Sequence, residues 1–107
     1  MDLQECFTKL LTATDVARNL EIPNRARFLP IGNAVMRVID QEGNIYEFIA
    51  SERADGRRSL TRQWRAFAVA NNLRAGEFLR IYRSGNGNHY VVHAGVELHG
   101  HIIWERL

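Results

Sequence analysis

Short β-rich runs, separated by polar turns that carry glycine, most constrain how this chain of 107 residues can fold. The two clearest runs, residues 35–39 and 45–51, flank a Gly- and Asn-bearing turn and predict a hairpin. Further strands are predicted within residues 3–11, 20–22, 78–82, 90–94 and 101–104. Strands spaced by about 8–15 residues, without regular alternation with helices, are typical of a small barrel or sandwich and argue against a parallel, doubly wound sheet.

The helical content is predicted to be small. Trp64, Phe67 and Ala68 fall at the spacing of one helix face. Thr61 is the predicted N-cap of this helix, and its two aromatic residues are assigned to the core. Shorter segments are predicted at residues 12–15, as a turn or a single helical turn, and at residues 24–28, as a brief helix. With residues 51–59 interpreted as a polar loop, the sequence predicts a mainly β fold with minor α content.

The composition excludes several classes of protein. No run of about 18 apolar residues is present, so no membrane-spanning segment is predicted. The N-terminal residues lack the basic and apolar regions of a secretory signal. The one cysteine, Cys6, permits neither an internal disulfide nor a CxxC metal motif, and we expect a reducing compartment and a buried thiol. The length corresponds to one domain, residues 1–107.

No catalytic residue is predicted. The sequence contains none of the motifs GxGxxG, P-loop, GxSxG or HExxH, and its carboxylates lack the paired spacing typical of acid–base catalysis. The histidines all lie in the last 19 residues, at His89, His93, His99 and His101. Two histidines on one strand face can hold zinc, but a structural zinc site needs about four ligands. No cysteine lies nearby, so we predict that these histidines hold no metal. We also predict no cofactor and no small-molecule substrate.

The charge distribution indicates the kind of partner. The net charge is only +2, but residues 53–83 hold eight arginines against two acidic residues, whereas residues 1–52 hold five basic and eight acidic residues. Guanidinium groups bind phosphate oxygens in a bidentate manner and pair with O6 and N7 of guanine. Arg62, predicted in the first helical turn, opposes the helix dipole and thereby suggests an external anion. The charge alone leaves two interpretations open, a nucleic-acid contact and a solvated basic loop.

Four sequence blocks resemble plant B3 DNA-binding domains. These blocks are FTKLLTATDV at residues 7–16, LEIP at 20–23, LTRQWRAF at 60–67 and NLRAGE at 72–77. Their shared order and spacing make the resemblance specific, and it covers about residues 6–94. Three features depart from the family pattern. Gln63 stands in place of glycine, Thr14 stands in place of serine, and the segment between Asp15 and Leu20 is short.

The resemblance implies a seven-stranded open β-barrel, or pseudobarrel, with two short helices at its ends. It also implies sequence-specific binding of double-stranded DNA through the major groove by two arms, the N-arm (residues 12–19) and the C-arm (residues 53–62). The residues that it carries over are Lys9, as a phosphate contact beside the N-arm, then Thr14, Arg18 and Asn19, and in the C-arm Arg53, Arg57, Arg58, Ser59 and Arg62.

The implied role is that of a DNA-binding domain in a plant-type transcription regulator, located in the nucleus and without enzymatic activity. Two alternatives stay open. One is the DNA-recognition domain of a restriction endonuclease, which would be cytoplasmic in a bacterium. The other is a divergent module that binds protein, motivated by Gln63, the short first arm and the acidic first half of the chain. The DNA motif, the oligomeric state and the choice between activation and repression also stay open.

Overall fold

The computed structural model describes residues 2–104. This part of the chain contains eight strands and two helices. The strands are β1 (Leu3–Leu10), β2 (Leu20–Glu21), β3 (Ala34–Ile39), β4 (Ile45–Glu52), β5 (Arg58–Arg62), β6 (Phe78–Ser84), β7 (Tyr90–Leu98) and β8 (His101–Ile103). The helices are α1 (Ala13–Ala17) and α2 (Trp64–Ala70). The helical turn expected near residues 12–15 is therefore confirmed as α1, and the strand expected near residue 101 is confirmed as β8.

The strands form one curled, open sheet in the order β1-β6-β7-β3-β4-β5-β2, and β8 adds to β7 outside this path. All neighbours are antiparallel except β3 and β7, which pair in parallel through Val38 and Ile39. The predicted mainly β fold, an open barrel of seven strands with two short helices, is confirmed. The sheet order brings β2 beside β5, so the N-arm and the C-arm lie at the same edge of the sheet.

The predicted hairpin of β3 and β4 is confirmed, and its turn chemistry explains why it forms. Asp40 accepts hydrogen bonds at Oδ1 from the backbone N–H groups of Glu42 and Asn44, at 2.9 and 2.8 Å. Gly43 adopts φ +86°, a conformation that a residue with a Cβ atom adopts only with strain. On β4, Phe48 is fully buried, as the alternation of the strand predicts.

An aromatic cluster fills the core between α2 and the sheet. The rings of Trp64 and Phe67 lie 5.7 Å apart, and each packs against Phe48 at 5.8–5.9 Å. Tyr46 meets the ring of Phe67 edge-on at 5.2 Å. Trp64 is fully buried and Phe67 almost so, which confirms their assignment to the core rather than to a ligand surface.

The brief helix predicted at residues 24–28 is wrong. This segment makes one turn, closed by a hydrogen bond from Ala26 N–H to the Pro23 carbonyl at 3.0 Å. The Arg27 N–H then donates to the Cys6 carbonyl at 2.9 Å, so the segment runs along the edge of β1. Phe28 adopts φ +61°, in the left-handed region, which a right-handed helix cannot contain.

The start of α2 also differs from the prediction, because β5 extends through Arg62. Thr61 pairs with Ile49 in the sheet and is not the helix N-cap; that position is held by Gln63. The Gln63 side chain makes no capping bond and instead accepts the Glu47 N–H at 2.7 Å. Arg62 therefore lies before the helix, and the dipole argument for an anion near it does not apply. The loop predicted at residues 51–59 shrinks to 53–57, since β4 ends at Glu52 and β5 begins at Arg58.

Candidate nucleic-acid interface

The two arms meet at an open groove of about 370 Å³, called here the arm groove. Its lining residues are Thr14, Arg18, Asn19, Glu21, Arg53, Arg57, Arg58 and Ser59. Seven of these eight are among the nine residues that the resemblance carries over, and the structure brings the seven together from two distant parts of the chain. Glu21 is the addition that the sequence reasoning missed. Lys9 and Arg62 do not line the groove.

The N-arm begins with a helix start encoded by the sequence itself. Thr12 accepts the Asp15 N–H at Oγ1 (3.1 Å), and Asp15 Oδ2 accepts the Thr12 N–H (2.9 Å), which together form a capping box. Helix α1 ends at Ala17, and the N–H of its C-cap residue, Arg18, donates to the Thr14 carbonyl at 2.9 Å. The side chains of Thr14, Arg18 and Asn19 are exposed and make no hydrogen bond or ion pair within residues 2–104. They are available to a ligand.

Asp15 and Lys9 form the internal support of the N-arm. The Asp15 carboxylate is buried, and Lys9 Nζ lies 3.0 Å from its Oδ2. Burial alone would raise the pKa of Asp15, but the N–H groups of Thr12 and Glu21 and the Lys9 ammonium together hold the pKa below its usual value of 3.8. The same ammonium donates to the Glu21 carbonyl oxygen at 2.7 Å. Lys9 thus joins β1, α1 and β2, and its role as a phosphate contact stays a prediction.

Helix α2 holds the N-arm in place from the core side. The buried indole N–H of Trp64 donates to the Asp15 carbonyl oxygen at 2.8 Å. The guanidinium of Arg65 donates to the Ala17 carbonyl oxygen at the end of α1. Both bonds satisfy carbonyl groups of the last helical turn that have no partner within α1. The sequence assigned Trp64 to the core, but this second, polar role requires a contact between residues 49 positions apart.

The C-arm comprises the turn at residues 53–57, which is the tip of the hairpin formed by β4 and β5, and strand β5 itself. Its turn is closed by hydrogen bonds from Arg53 N–H to the Arg57 carbonyl (2.8 Å) and from Gly56 N–H to the Arg53 carbonyl (3.0 Å). Gly56 adopts φ +87°, which favours glycine. The side chain of Arg57 is 68% exposed, and its Nε lies 3.8 Å from the carboxylate of Asp55. A long, exposed ion pair of this kind costs little to exchange for another anion.

Arg58 differs from the other groove arginines because its guanidinium is already engaged. It donates to the carbonyl oxygens of Pro30 and Gly32, and its Nε lies 3.8 Å from Glu52. Its Nε is buried without a hydrogen-bond partner in the described part of the chain. Ser59, the neighbouring groove residue, pairs with Glu21 across β2 and β5. Through its bonds to Pro30 and Gly32, Arg58 holds the loop at residues 30–32 in place. Its guanidinium therefore has fewer donors left for a ligand in the groove.

The groove is strongly cationic and open to solvent. Four arginines line it against one carboxylate, that of Glu21. Arg18 and Arg53 make no ion pair among residues 2–104, and both are exposed. Outside the groove, Arg62 pairs with Glu47 at 3.2 Å on the outer surface. The arrangement suits a polyanion that can offer several phosphate groups at once.

Histidine and cysteine, the other residue types that could bind a metal or react, have structural roles here. Within residues 2–104, no group of three or more His, Cys, Asp and Glu side chains is placed to hold a metal ion. His93 packs against the ring of Tyr82 at 5.3 Å. Cys6 is buried as expected, and burial raises the pKa of its thiol to about 11. In the same part of the chain, no helix is long and apolar enough to cross a membrane.

Comparisons with known proteins identify the fold. The chain is similar to the structure of an Arabidopsis FUS3–DNA complex, with a TM-score of 0.68 and 22% identity over 85% of this chain and 96% of that one. It is also similar to the Arabidopsis thaliana transcription factor LEC2–DNA complex, with a TM-score of 0.68 and 19% identity over 91% and 97% of the two chains. A hypothetical Arabidopsis thaliana protein gives a TM-score of 0.71 at 20% identity over 90% and 93%.

No protein-family profile matches this chain, and no curated protein sequence matches it either. The FUS3 and LEC2 structures are B3 domain complexes, so the resemblance drawn from the sequence blocks is confirmed at the level of the fold. At identities of 19–22%, the similarity is one of backbone architecture.

Proposed function

We propose that this chain is a domain that binds double-stranded DNA in the major groove, within a transcription regulator that acts in the nucleus. The observation that carries the proposal is the arm groove, in which two sequence-distant arms present four arginines around an open concave surface. Two of the structural neighbours were solved as complexes with DNA, and one of these is named a transcription factor. The domain acts by binding alone and needs neither a cofactor nor a catalytic group.

The side chains of the arm groove match the chemistry of DNA. The arginines can bind phosphate oxygens or read the O6 and N7 acceptors of guanine. Asn19 offers both a donor and an acceptor, which is the pattern needed to read the N6 and N7 atoms of adenine. Thr14 and Ser59 carry hydroxyl groups that can bind phosphate. Arg62 and Lys9 lie outside the groove. We assign Arg62 to contact with the DNA backbone at the margin of the groove, and Lys9 to positioning of the N-arm.

Selection from a library of random duplex DNA tests the proposal. We expect one short motif to be enriched by the wild-type chain. Arg57→Ala should then weaken binding to that duplex and, if the guanidinium holds a phosphate, reduce the slope of log K against log salt by about 0.9. Arg74→Ala, which removes an exposed arginine outside the groove, is the matched control and should leave both values unchanged. Failure to enrich any motif would refute the proposal and favour a protein-binding module.

A further inference from the structure

We propose that Glu21 is a specificity-determining residue of the arm groove and that it selects a cytosine in the bound duplex. The inference rests on the proposed DNA-binding function and extends it to a base identity. Glu21 is the one acidic residue among the eight that line the groove. A carboxylate there repels the phosphate backbone and weakens binding to DNA in general, so a role in affinity cannot account for it.

The backbone of Glu21 is held more firmly than that of a loop residue. Its N–H donates to Asp15 Oδ1 at 3.0 Å, and its carbonyl oxygen accepts from Lys9 Nζ at 2.7 Å. Strand β2 pairs with β5 at this point, with Glu21 opposite Ser59. Leu20, the preceding residue, is fully buried, and strand alternation turns Glu21 outward into the groove. Base readout requires side chains that start from a fixed backbone, and Glu21 meets that requirement.

The Glu21 carboxylate itself is free. The side chain is exposed and makes no hydrogen bond or ion pair within residues 2–104, although Lys9 lies close enough to bond its backbone carbonyl. Lys9 pairs with Asp15 instead. The Asp15–Lys9 pair therefore uses its charges to fix the main chain of Glu21 and leaves the side chain available to a ligand.

The chemistry of the major groove identifies the base. A carboxylate only accepts hydrogen bonds, and cytosine presents a lone donor there, the N4 amino group. Guanine presents two acceptors and thymine an acceptor and a methyl group, all of which disfavour a carboxylate. Adenine places the N7 acceptor beside its N6 donor. The guanine paired with the selected cytosine offers O6 and N7 to a guanidinium, and four arginines line the same groove.

Parallel selections from random duplex DNA with the wild-type chain, Glu21→Gln and Glu42→Gln test the inference. Glu42 is an exposed carboxylate in the turn between β3 and β4, outside the groove, so its variant controls for the loss of one negative charge. We expect the wild-type motif to contain a cytosine whose preference falls about tenfold in Glu21→Gln, with adenine gaining at that position because glutamine can pair with N6 and N7. Binding of Glu21→Gln to non-specific duplex should become tighter, since a repulsive charge is removed.

The outcomes separate the two levels of the proposal. If the wild-type chain enriches no motif, the DNA-binding function itself fails. If it enriches a motif that Glu21→Gln reproduces unchanged, only the role of Glu21 is overturned. Thermal melts of the wild type and of each variant check that all are folded. Glu21→Asp keeps the charge but shortens the reach of the carboxylate, so it should also lose the preference for cytosine at that position. An equal change in Glu42→Gln would assign the effect to total charge and overturn the inference.

Discussion

Replacing Lys9 with methionine removes the ammonium that neutralises Asp15 while keeping the apolar stem of the side chain. The Nζ atom lies 3.0 Å from Asp15 Oδ2 and 2.7 Å from the Glu21 carbonyl oxygen, and the lysine side chain is only 15% exposed. Removing one partner of a buried ion pair costs about 3–5 kcal/mol. Because Lys9 keeps some contact with solvent, we expect the free energy of unfolding to fall by about 3 kcal/mol, at the lower end of that range.

Urea denaturation, followed by circular dichroism, measures this loss in four proteins. They are the wild type, Lys9→Met, Asp15→Asn and the double variant. Asp15→Asn is also expected to destabilise the fold, because the carboxylate accepts two backbone N–H groups that an amide serves less well. If the ion pair is the cause, the double variant loses less than the sum of the single losses, with a coupling energy of about 1–3 kcal/mol. Arg74→Met, which removes an exposed cation, should change stability by less than about 0.5 kcal/mol.

The same variant decides between positioning and direct phosphate contact. The assay temperature is chosen so that Lys9→Met is still folded. If Lys9 only positions the N-arm, this variant binds the selected duplex more weakly, but the slope of log K against log salt is unchanged. If Lys9 binds a phosphate, the slope falls by about 0.9. A loss of stability below about 1 kcal/mol together with that fall in slope would refute the reasoning and restore Lys9 as a DNA contact.

Three further predictions follow from buried polar groups. Folding lowers the pKa of Asp15, so the contribution of this carboxylate to stability is complete above its unfolded pKa of 3.8 and is lost as the pH falls through the folded pKa. The free energy of unfolding should therefore depend less on pH in the acid range in Asp15→Asn than in the wild type. Trp64→Phe leaves the buried carbonyl of Asp15 without its donor and should cost about 2–3 kcal/mol in urea denaturation. The Cys6 thiol is buried and its pKa is raised to about 11, so it should react with a disulfide reagent at pH 8 far more slowly in the native protein than in urea.

The elements that the sequence predicted well are those whose causes are local. Alternation of apolar residues identified the hairpin of β3 and β4, and the Asp40 and Gly43 turn that closes it is formed by neighbours in the chain. The capping of α1 by Thr12 and Asp15 is also contained within four residues. The prediction failed where a distant partner decided the outcome. Thr61 is of a residue type favoured at the N-cap, yet it pairs with Ile49 and lies in a strand.

By itself, the sequence determined the fold class and the aromatic core, because side-chain periodicity and turn chemistry act over a few residues. The two arms were implied by the resemblance to B3 domains. Only the tertiary structure decided which arm residues share a surface. Pairing of β2 with β5 places Arg18 and Arg57 around one groove and adds Glu21 to it, while Lys9 turns inward to Asp15. The physical reason is that the identity of a binding surface depends on contacts between residues far apart in the chain, and burial of charge, as at Asp15, decides which cations are left for a ligand.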